Sequence, residues 1–252
     1  MDKQDAPIAA AATDRKPGSA GQYRLWGNTE IVDAYRRKGR ADFFVTDQYF
    51  LSRIARDVGS ILDVGCAAGR LLETFNQFGY RADYLGVDIV PENITAARAN
   101  YPDRAFDVAD AVNYEPGRTF DLVYCAGTLF HIPEFQQVIS NMLRWSNHYV
   151  GFEVKFAAVP DHLIDIERSY SKFGADRAHM IPLNLWKFMA WLTAQPGIGR
   201  VQMFGYRTPI NSVTVTAPEI GYFVSTAVFL EKGDHLHEVS VDLPFADLTV
   251  AR

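Results

Sequence analysis

The stretch Ile61-Leu62-Asp63-Val64-Gly65-Cys66-Ala67-Ala68-Gly69-Arg70 decides the fold. An apolar run ends in an acid and turns through glycines toward a helix, and such a turn suits a nucleoside. Gly65 and Gly69 permit dihedrals and a close backbone approach that a Cβ obstructs, and the helix that follows offers unpaired N–H groups to an oxygen-rich ligand. Tyr84-Leu85-Gly86-Val87-Asp88 reads as a second strand ending in a carboxylate. It lies about 20 residues past the turn, where βαβ folds place the acid that binds ribose. A dinucleotide fingerprint G-x-G-x-x-G begun at Gly65 requires glycines where Ala67 and Arg70 stand, so an NAD reading loses two of its three glycines.

With Ala67 at its middle glycine, the run resembles the D-x-G-x-G-x-G motif of class I S-adenosylmethionine-dependent methyltransferases (Asp63, Gly65, Ala67, Gly69). Asp88 matches the acid after the second strand, Asp107-Val108-Ala109-Asp110-Ala111 the third strand end, and Phe120-Asp121-Leu122-Val123-Tyr124-Cys125-Ala126 the fourth. The resemblance covers roughly residues 45 to 155 well and the rest in outline. It implies an α/β protein with a Rossmann-like, seven-stranded, mostly parallel sheet, helices on both faces and an antiparallel closing strand. It also implies S-adenosyl-L-methionine as cofactor. Asp88 would accept both ribose hydroxyls, with Ile89 beside it; the alternative for Asp88 is a helix N-cap. Asp63 would reach the cofactor amino group through water or order the loop, and Gly65, Cys66, Ala67 and Gly69 would supply backbone approach. Asp110 and Ala111 would sit at the adenine, Asp110 otherwise being a turn acid. Cys125 would lie near the methionine portion.

The 252 residues suit one domain with elaborations, and 48% of them are hydrophobic, enough for a sizeable core. No apolar run approaches the ~20 residues of a membrane span, so no membrane role is expected. The start Met-Asp-Lys-Gln-Asp-Ala-Pro lacks a secretory h-region and points to the cytoplasm. Two cysteines, Cys66 and Cys125, make neither a disulfide framework nor a metal set. The net charge of −5 argues against a nonspecific grip on nucleic acid. The one basic cluster, Arg36-Arg37-Lys38-Gly39-Arg40, reads as a solvated helix face rather than a phosphate site. Nothing in the residues fixes an oligomeric state.

Residues 1–22 lack apolar periodicity and read as a disordered arm, 23–232 as the methyltransferase domain and 233–252 as a tail. Helices are expected over 29–38 and along the Phe44, Gln48, Leu51, Ile54, Val58 stripe. Strands are expected near 60–64, 82–87, 105–108, 120–125 and 149–155, with a closing pair at 200–206 and 222–231. Phe135, Val138, Ile139, Met142 and Leu143 form one helix face. Asn184 caps another helix, with Leu185, Phe188, Met189 and Leu192 as its stripe and Gly197 as its stop. Val239, Val241 and Leu243 alternate as an added edge strand would. The polar stretch 157–182 is too long for a plain connection and reads as an insertion that lids the acceptor site.

Methyl transfer from a sulfonium is an in-line displacement whose leaving group needs no proton, so positioning carries much of the catalysis. His131 follows the fourth strand and is a candidate general base; its other reading is a turn organiser. His162 is the second base candidate, with Asp161, Asp165, Glu167 and Tyr170 near it as either an acceptor grip or a solvated face. His235 and His237 lack a third ligand, and no metal is expected. Cys125-Ala126-Gly127-Thr128 stands where amino-methyltransferases of nucleic acids resemble one another in an Asn/Asp-Pro-Pro-aromatic run. The acceptor is therefore expected to be a small molecule, with oxygen as the default atom and a sugar or other hydroxylated metabolite as its type. Protein or RNA methylation and a noncatalytic methyltransferase-like binding subunit are the alternatives; intact Asp63, Gly65, Gly69 and Asp88 argue against lost cofactor binding.

Overall fold

The computed structural model describes Trp26, residues 45–173 and 176–244, and Leu248. The expected arm at 1–22, the expected helix at 29–38 and the basic cluster at 36–40 lie outside the described residues.

Alternating apolar and helical runs produce βαβ units from residue 60 onward. Strand β1 (Ser60–Val64) leads through the glycine turn to α2 (Leu71–Gln77), β2 (Asp83–Asp88), α3 (Pro91–Asn100) and β3 (Ala105–Val108), then β4 (Phe120–Cys125), α4 (Phe135–Trp145) and β5 (Ser146–Phe156). Helix α1 (Val45–Ile54) precedes them. β1 pairs in parallel with β2 and β4, Leu62 facing Leu85 on one side and Val123 on the other. β3 extends this sheet beyond β2 and β5 extends it beyond β4, both in parallel. Leu62, Val123 and Val150 are fully buried, as residues of a parallel sheet covered on both faces should be.

Two long strands, β9 (Ile198–Pro209) and β11 (Tyr222–Lys232), close the sheet. β11 runs antiparallel to β5 on one side and to β9 on the other. The sheet thus reads β3-β2-β1-β4-β5-β11-β9, the seven expected strands, with two additions. β12 (Glu238–Asp242) joins the outer edge parallel to β9, Val239 facing Val201, so the alternation in the tail does mark an edge strand. β8 (Pro182–Leu183) adds a short parallel pairing to the end of β5. Between β8 and β9 stands α5 (Leu185–Thr193). The apolar faces of α4 and α5 meet in the larger core cluster, where Phe188 rings pack edge-on against Phe152 and Phe156. α1 covers the other face, Phe50 stacking on Phe229 at 5.2 Å. Among the described residues, no helix is long and apolar enough to cross a membrane.

The stretch 157–182 departs from its reading as a polar flap. It carries β6 (Tyr170–Phe173) and β7 (Asp176–His179), an antiparallel pair to which β10 (Thr214–Val215) adds a third strand. A separate apolar cluster of Ala157, Val159, Leu163 and Met180 with Ala217, Ile220 and Phe223 supports it. The segment is a packed cap: its apolar residues fill that cluster, Ser169, Ser171 and His179 are buried with them, and Asp161, Glu167 and Arg177 face outward; a connection this long needs such structure of its own.

Gly151 lets the central strands lie close. A Cβ there would stand 2.4 Å from Cε2 of Tyr124, its in-register partner on β4, whose ring is buried. Neither the strand nor the ring has room to yield. Gly151→Ala is therefore expected to destabilise the fold by about 1–3 kcal/mol, the usual cost of overpacking, measured by urea unfolding. An unchanged midpoint would show that Tyr124 can move.

Candidate active site

A cavity of about 360 Å³ opens at the carboxyl ends of the parallel strands, where open α/β sheets bind ligands. Its nucleoside half is built by three backbone constraints. Gly65 and Gly69 sit at φ +74° and +81°, and Ala67 between them at φ +48°. A Cβ on Gly65 would stand 2.4 Å from Oγ1 of Thr128, so the first turn presses directly on the loop after β4. Gly69 does not line the cavity; its N–H donates to the Cys66 carbonyl at 2.9 Å and closes the turn from behind.

Asp88 fixes this turn. Its Oδ2 accepts from the Ala67 N–H at 2.9 Å, and its Oδ1 accepts from the Val90 N–H at 2.9 Å and from Asn93 Nδ2 at 3.3 Å. A carboxylate has about four lone-pair directions, and three are filled. Asp88 therefore keeps room for about one strong bond to a ribose hydroxyl rather than the expected two. The remaining acceptor is at hand in Asn93, whose Oδ1 is buried, has no protein partner and belongs to a residue lining the cavity. Burial raises the Asp88 pKa above its ordinary 3.8, against the three hydrogen bonds that hold it down. These features fit a vicinal diol on a nucleoside: two buried acceptors side by side, a backbone cradle with no room for a Cβ, and a helix N-terminus behind it.

Asp63 lies beneath the cradle with no exposed surface. Tyr84 donates its hydroxyl to Oδ2 at 2.7 Å, while Oδ1 has no protein partner. Burial pushes this carboxyl up to about 7, opposed by Tyr84 and reinforced by the Asp88 charge. Cys66, Ile89, Asp110 and Ala111 line the cavity as well. Oδ1 of Asp110 accepts from the Val112 N–H at 3.0 Å, so this acid both shapes a turn and faces the site. Cys125 is fully buried below the cavity and does not line it; burial raises its thiol pKa.

His131 belongs to the acceptor half. It ends the 3-10 turn Leu129–His131 and packs between Trp26, ring centroids 4.7 Å apart, and Phe130 at 4.5 Å. Its Nδ1 meets the His179 carbonyl, which can only accept, so Nδ1 carries the proton and Nε2 the lone pair. Burial lowers its pKa to about 4; the bond to His179 opposes this and the Lys155 charge adds to it. His162 stands elsewhere. Its Nδ1 accepts from the Asn184 N–H at 3.2 Å at the start of α5, its ring meets Phe135, and it does not line the cavity. Asp161 pairs with Lys187 at 2.7 Å, and neither it nor Tyr170 reaches the cavity. The cap contributes Ser171 and Met180 instead, with Asn211 and Val213 from the segment before β10.

Besides Asn93, sequence reasoning passed over Glu153 and Lys155, both on β5. Glu153 is buried and accepts from the Gly127 N–H at 3.1 Å, which holds the loop after β4. Lys155 lines the cavity, donates from Nζ to Ser225 Oγ at 2.9 Å and lies 4.8 Å from the centre of the Phe130 ring. Burial lowers its pKa, opposed by Glu153. The signal was present: in Gly151-Phe152-Glu153-Val154-Lys155-Phe156 two charges alternate with apolar residues in a strand that should be apolar on both faces.

Residues 61–148 match the family described as a methyltransferase domain. That match covers about a third of the chain, and the sheet order and loop geometry are likewise similar to those of class I S-adenosylmethionine-dependent methyltransferases. A curated relative, trans-aconitate 2-methyltransferase of Escherichia coli O1:K1 / APEC, is 28% identical over 94 residues, 37% of this chain and 37% of its own length. The chain is thus matched over little more than a third of that relative. Two solved structures share the fold. The magnesium protoporphyrin IX methyltransferase of Synechocystis PCC 6803 is 17% identical, with a TM-score of 0.53 over 83% of this chain and 94% of that one. An N-methyltransferase of Bradyrhizobium japonicum WM9 is 13% identical, with a TM-score of 0.51 over 81% and 97%.

Asp63 gives the site a pH signature. Its folded pKa of about 7 exceeds the ordinary 3.8, so the folded protein holds a proton that the unfolded chain releases. The associated stability is complete below the unfolded value and is lost as pH rises through about 7. Asp63→Asn removes this titration while keeping the shape. Its melting temperature relative to the parent should be several degrees higher at pH 8 than at pH 5, each kcal/mol moving a domain of this size by about 2–4 °C. Parallel pH curves would contradict the assignment.

Proposed function

We propose that this protein transfers a methyl group from S-adenosyl-L-methionine to a small hydroxylated acceptor, without a metal, in the cytoplasm. The observation that carries this reading is one continuous cavity. The Asp88 and Asn93 acceptors and the glycine cradle stand at one end, and the neutral His131 stands at the other. A cavity of about 360 Å³ beneath a packed cap favours a small molecule over a protein or RNA chain. The trans-aconitate relative supports an acceptor of that size.

Asp88 and Asn93 would hold the ribose, Asp110 and Ala111 the adenine edge, and Arg70, which lines the same half, the amino-acid carboxylate. When bound, the cofactor supplies an electrophilic methyl carbon on a sulfonium. Transfer of that carbon to the acceptor oxygen would break its bond to sulfur, which would keep the electron pair, so no proton is needed by the leaving group and the protein's part is to place the acceptor and take its proton. His131 supplies the remaining element. Its Nε2 accepts the acceptor's O–H, aims the oxygen lone pair and receives the proton as the transfer completes. Trp26 and Phe130 hold the ring in place for this. A base with pKa about 4 is fully deprotonated at neutral pH yet weak. Its contribution therefore belongs near the lower end of the general-base range of 10²–10⁴.

Calorimetry with S-adenosyl-L-homocysteine tests the first half of this reading. Asp88→Asn should bind it about 10- to 100-fold more weakly, the equivalent of a lost hydrogen bond to a charged group, and equal affinity in a folded variant would remove Asp88 from the site. His131→Ala tests the second half. The rate should fall about 10²-fold with cofactor affinity unchanged. In the parent enzyme, kcat/KM should be lost only as pH falls through about 4, because the base must be deprotonated. An acid limb near the ordinary value of 6.5, or a loss below threefold, would rule out this role for His131.

A further inference from the structure

We infer that Lys155 is the acceptor-recognition residue and that the acceptor carries a carboxylate on an apolar body, gripped by its ammonium group beneath the cap. This rests on the proposed methyl transfer and specifies its substrate class.

Among the described residues, the Arg and Lys side chains that line the cavity are divided between its ends. Arg70 follows the cradle on the cofactor side, and Lys155 projects from β5 on the acceptor side. Asp63, Asp88 and Asp110 all line the nucleoside half, so an anionic acceptor is repelled there and attracted to Lys155. Among the described residues, the ammonium group has one hydrogen-bond partner, Ser225 Oγ, which is in turn held by Thr208 Oγ1 at 2.8 Å. Among the described residues, no carboxylate lies within 4.0 Å of Nζ. Lysine has three donors, and one is used. Glu153 acts on it as a nearby charge without an ion pair within 4.0 Å, and a buried cation with unfilled donors costs stability unless a ligand completes it.

The surroundings describe the rest of the acceptor. Nζ lies 4.8 Å from the centre of the Phe130 ring and 5.8 Å from that of Phe223, and Met180 lines the cavity from the cap. These walls suit an apolar body. Phe130 also stands 4.5 Å from His131, so a single ring separates the carboxylate grip from the base. The Lys155 charge is felt at His131, which agrees with this spacing. An acceptor held at Lys155 by its carboxylate thus presents its hydroxyl to His131 only if the two groups are separated by about one ring. Charge fixes orientation here, and the apolar walls fix length.

The test uses the full chain, with and without S-adenosyl-L-homocysteine, and three aryl carboxylates as probes: benzoate, phenylacetate and cinnamate, each against its neutral amide. The parent protein should bind at least one carboxylate about 10- to 100-fold more tightly than its amide, the range for hydrogen bonds to a charged group. Lys155→Met should abolish that preference while leaving amide binding and homocysteine-cofactor binding unchanged, and Lys155→Arg should retain it. A parent protein that shows no preference for any of the three carboxylates overturns the proposal. So does a Lys155→Met variant that loses cofactor affinity instead, which would assign Lys155 to the cofactor carboxylate, or one that only melts lower with the preference intact. Failure of the parent protein to bind S-adenosyl-L-homocysteine would sink the methyl-transfer reading, and the probe preference measured without it would still be read separately.

Discussion

The bond from the Ala67 N–H to Asp88 Oδ2 joins the two halves of the first βαβ unit at the point where the ligand enters. β1 and β2 are parallel neighbours, so their carboxyl ends are adjacent, and the Gly65 and Cys66 N–H groups still donate to the Val87 carbonyl; beyond them the loop leaving β1 turns away from the β2 backbone. The carboxylate at the end of β2 holds it there. By accepting from Ala67 it stabilises a positive φ in a residue that has a Cβ, and by accepting from Val90 and Asn93 it sets the start of α3. A buried carboxylate with three protein donors is an ordered structural element first and a ligand acceptor second. Asn93 then becomes as much a part of the ribose site as the acid itself, because Asp88 has spent most of its accepting capacity on the fold.

A second constraint follows from placing acids under a loop that must bind an electron-rich nucleoside. Burial raises the proton affinity of both Asp63 and Asp88, and the Asp88 charge raises that of Asp63 further. The hydroxyl of Tyr84 steadies Asp63 from below, so the pair is separated by the loop and not by solvent. The concentration of acid at one end leaves the opposite end of the cavity as the place where a cation is least screened. Lys155 and the neutral His131 stand there, and the proximity of the first helps keep the second unprotonated. Charge along the cavity wall follows the strands that supply it: acids at and after the ends of β1, β2 and β3, and the Lys155 cation from β5, the strand on which Glu153 is also buried.

The parallel half of the fold was legible because its signals are local. The glycine turn, the acid at a strand end and the apolar faces of α4 and α5 each depend on residues a few positions apart, and each sits where the pattern put it. The alternation of Val239 and Val241 marked a strand, but nothing local stated that it would run parallel to β9. The strands of the cap were not legible for a related reason. β6 pairs with β10, so Ser171 faces Thr214 across a separation that no window of sequence spans, and its polar composition resembled a loop. His162 and Asp161 looked chemical because they cluster, yet they serve the start of α5, where the helix leaves backbone groups to be satisfied. Conversely Lys155 was overlooked because one lysine in an apolar strand carries no motif.

The cap and the long strands also explain why the acceptor half is built as it is. β9 and β11 are twelve and eleven residues long, whereas β1 has five. Strands that long overrun the carboxyl end of the parallel sheet and raise a wall beside the cavity, carrying Thr208, Phe223 and Ser225 above the level of the cofactor loop. β5, paired to β11 through Phe156, rises with them and lifts Lys155 to the same height. The cap closes on this wall through Phe223, which belongs both to β11 and to the apolar cluster beneath the cap. Specificity is thereby separated from cofactor binding in the architecture itself. Changes in the cap and in the overrun of β5, β9 and β11 can reshape the acceptor pocket, while the Asp88 bond that defines the nucleoside half lies at β2, on the far side of β1 and β4 in the same sheet.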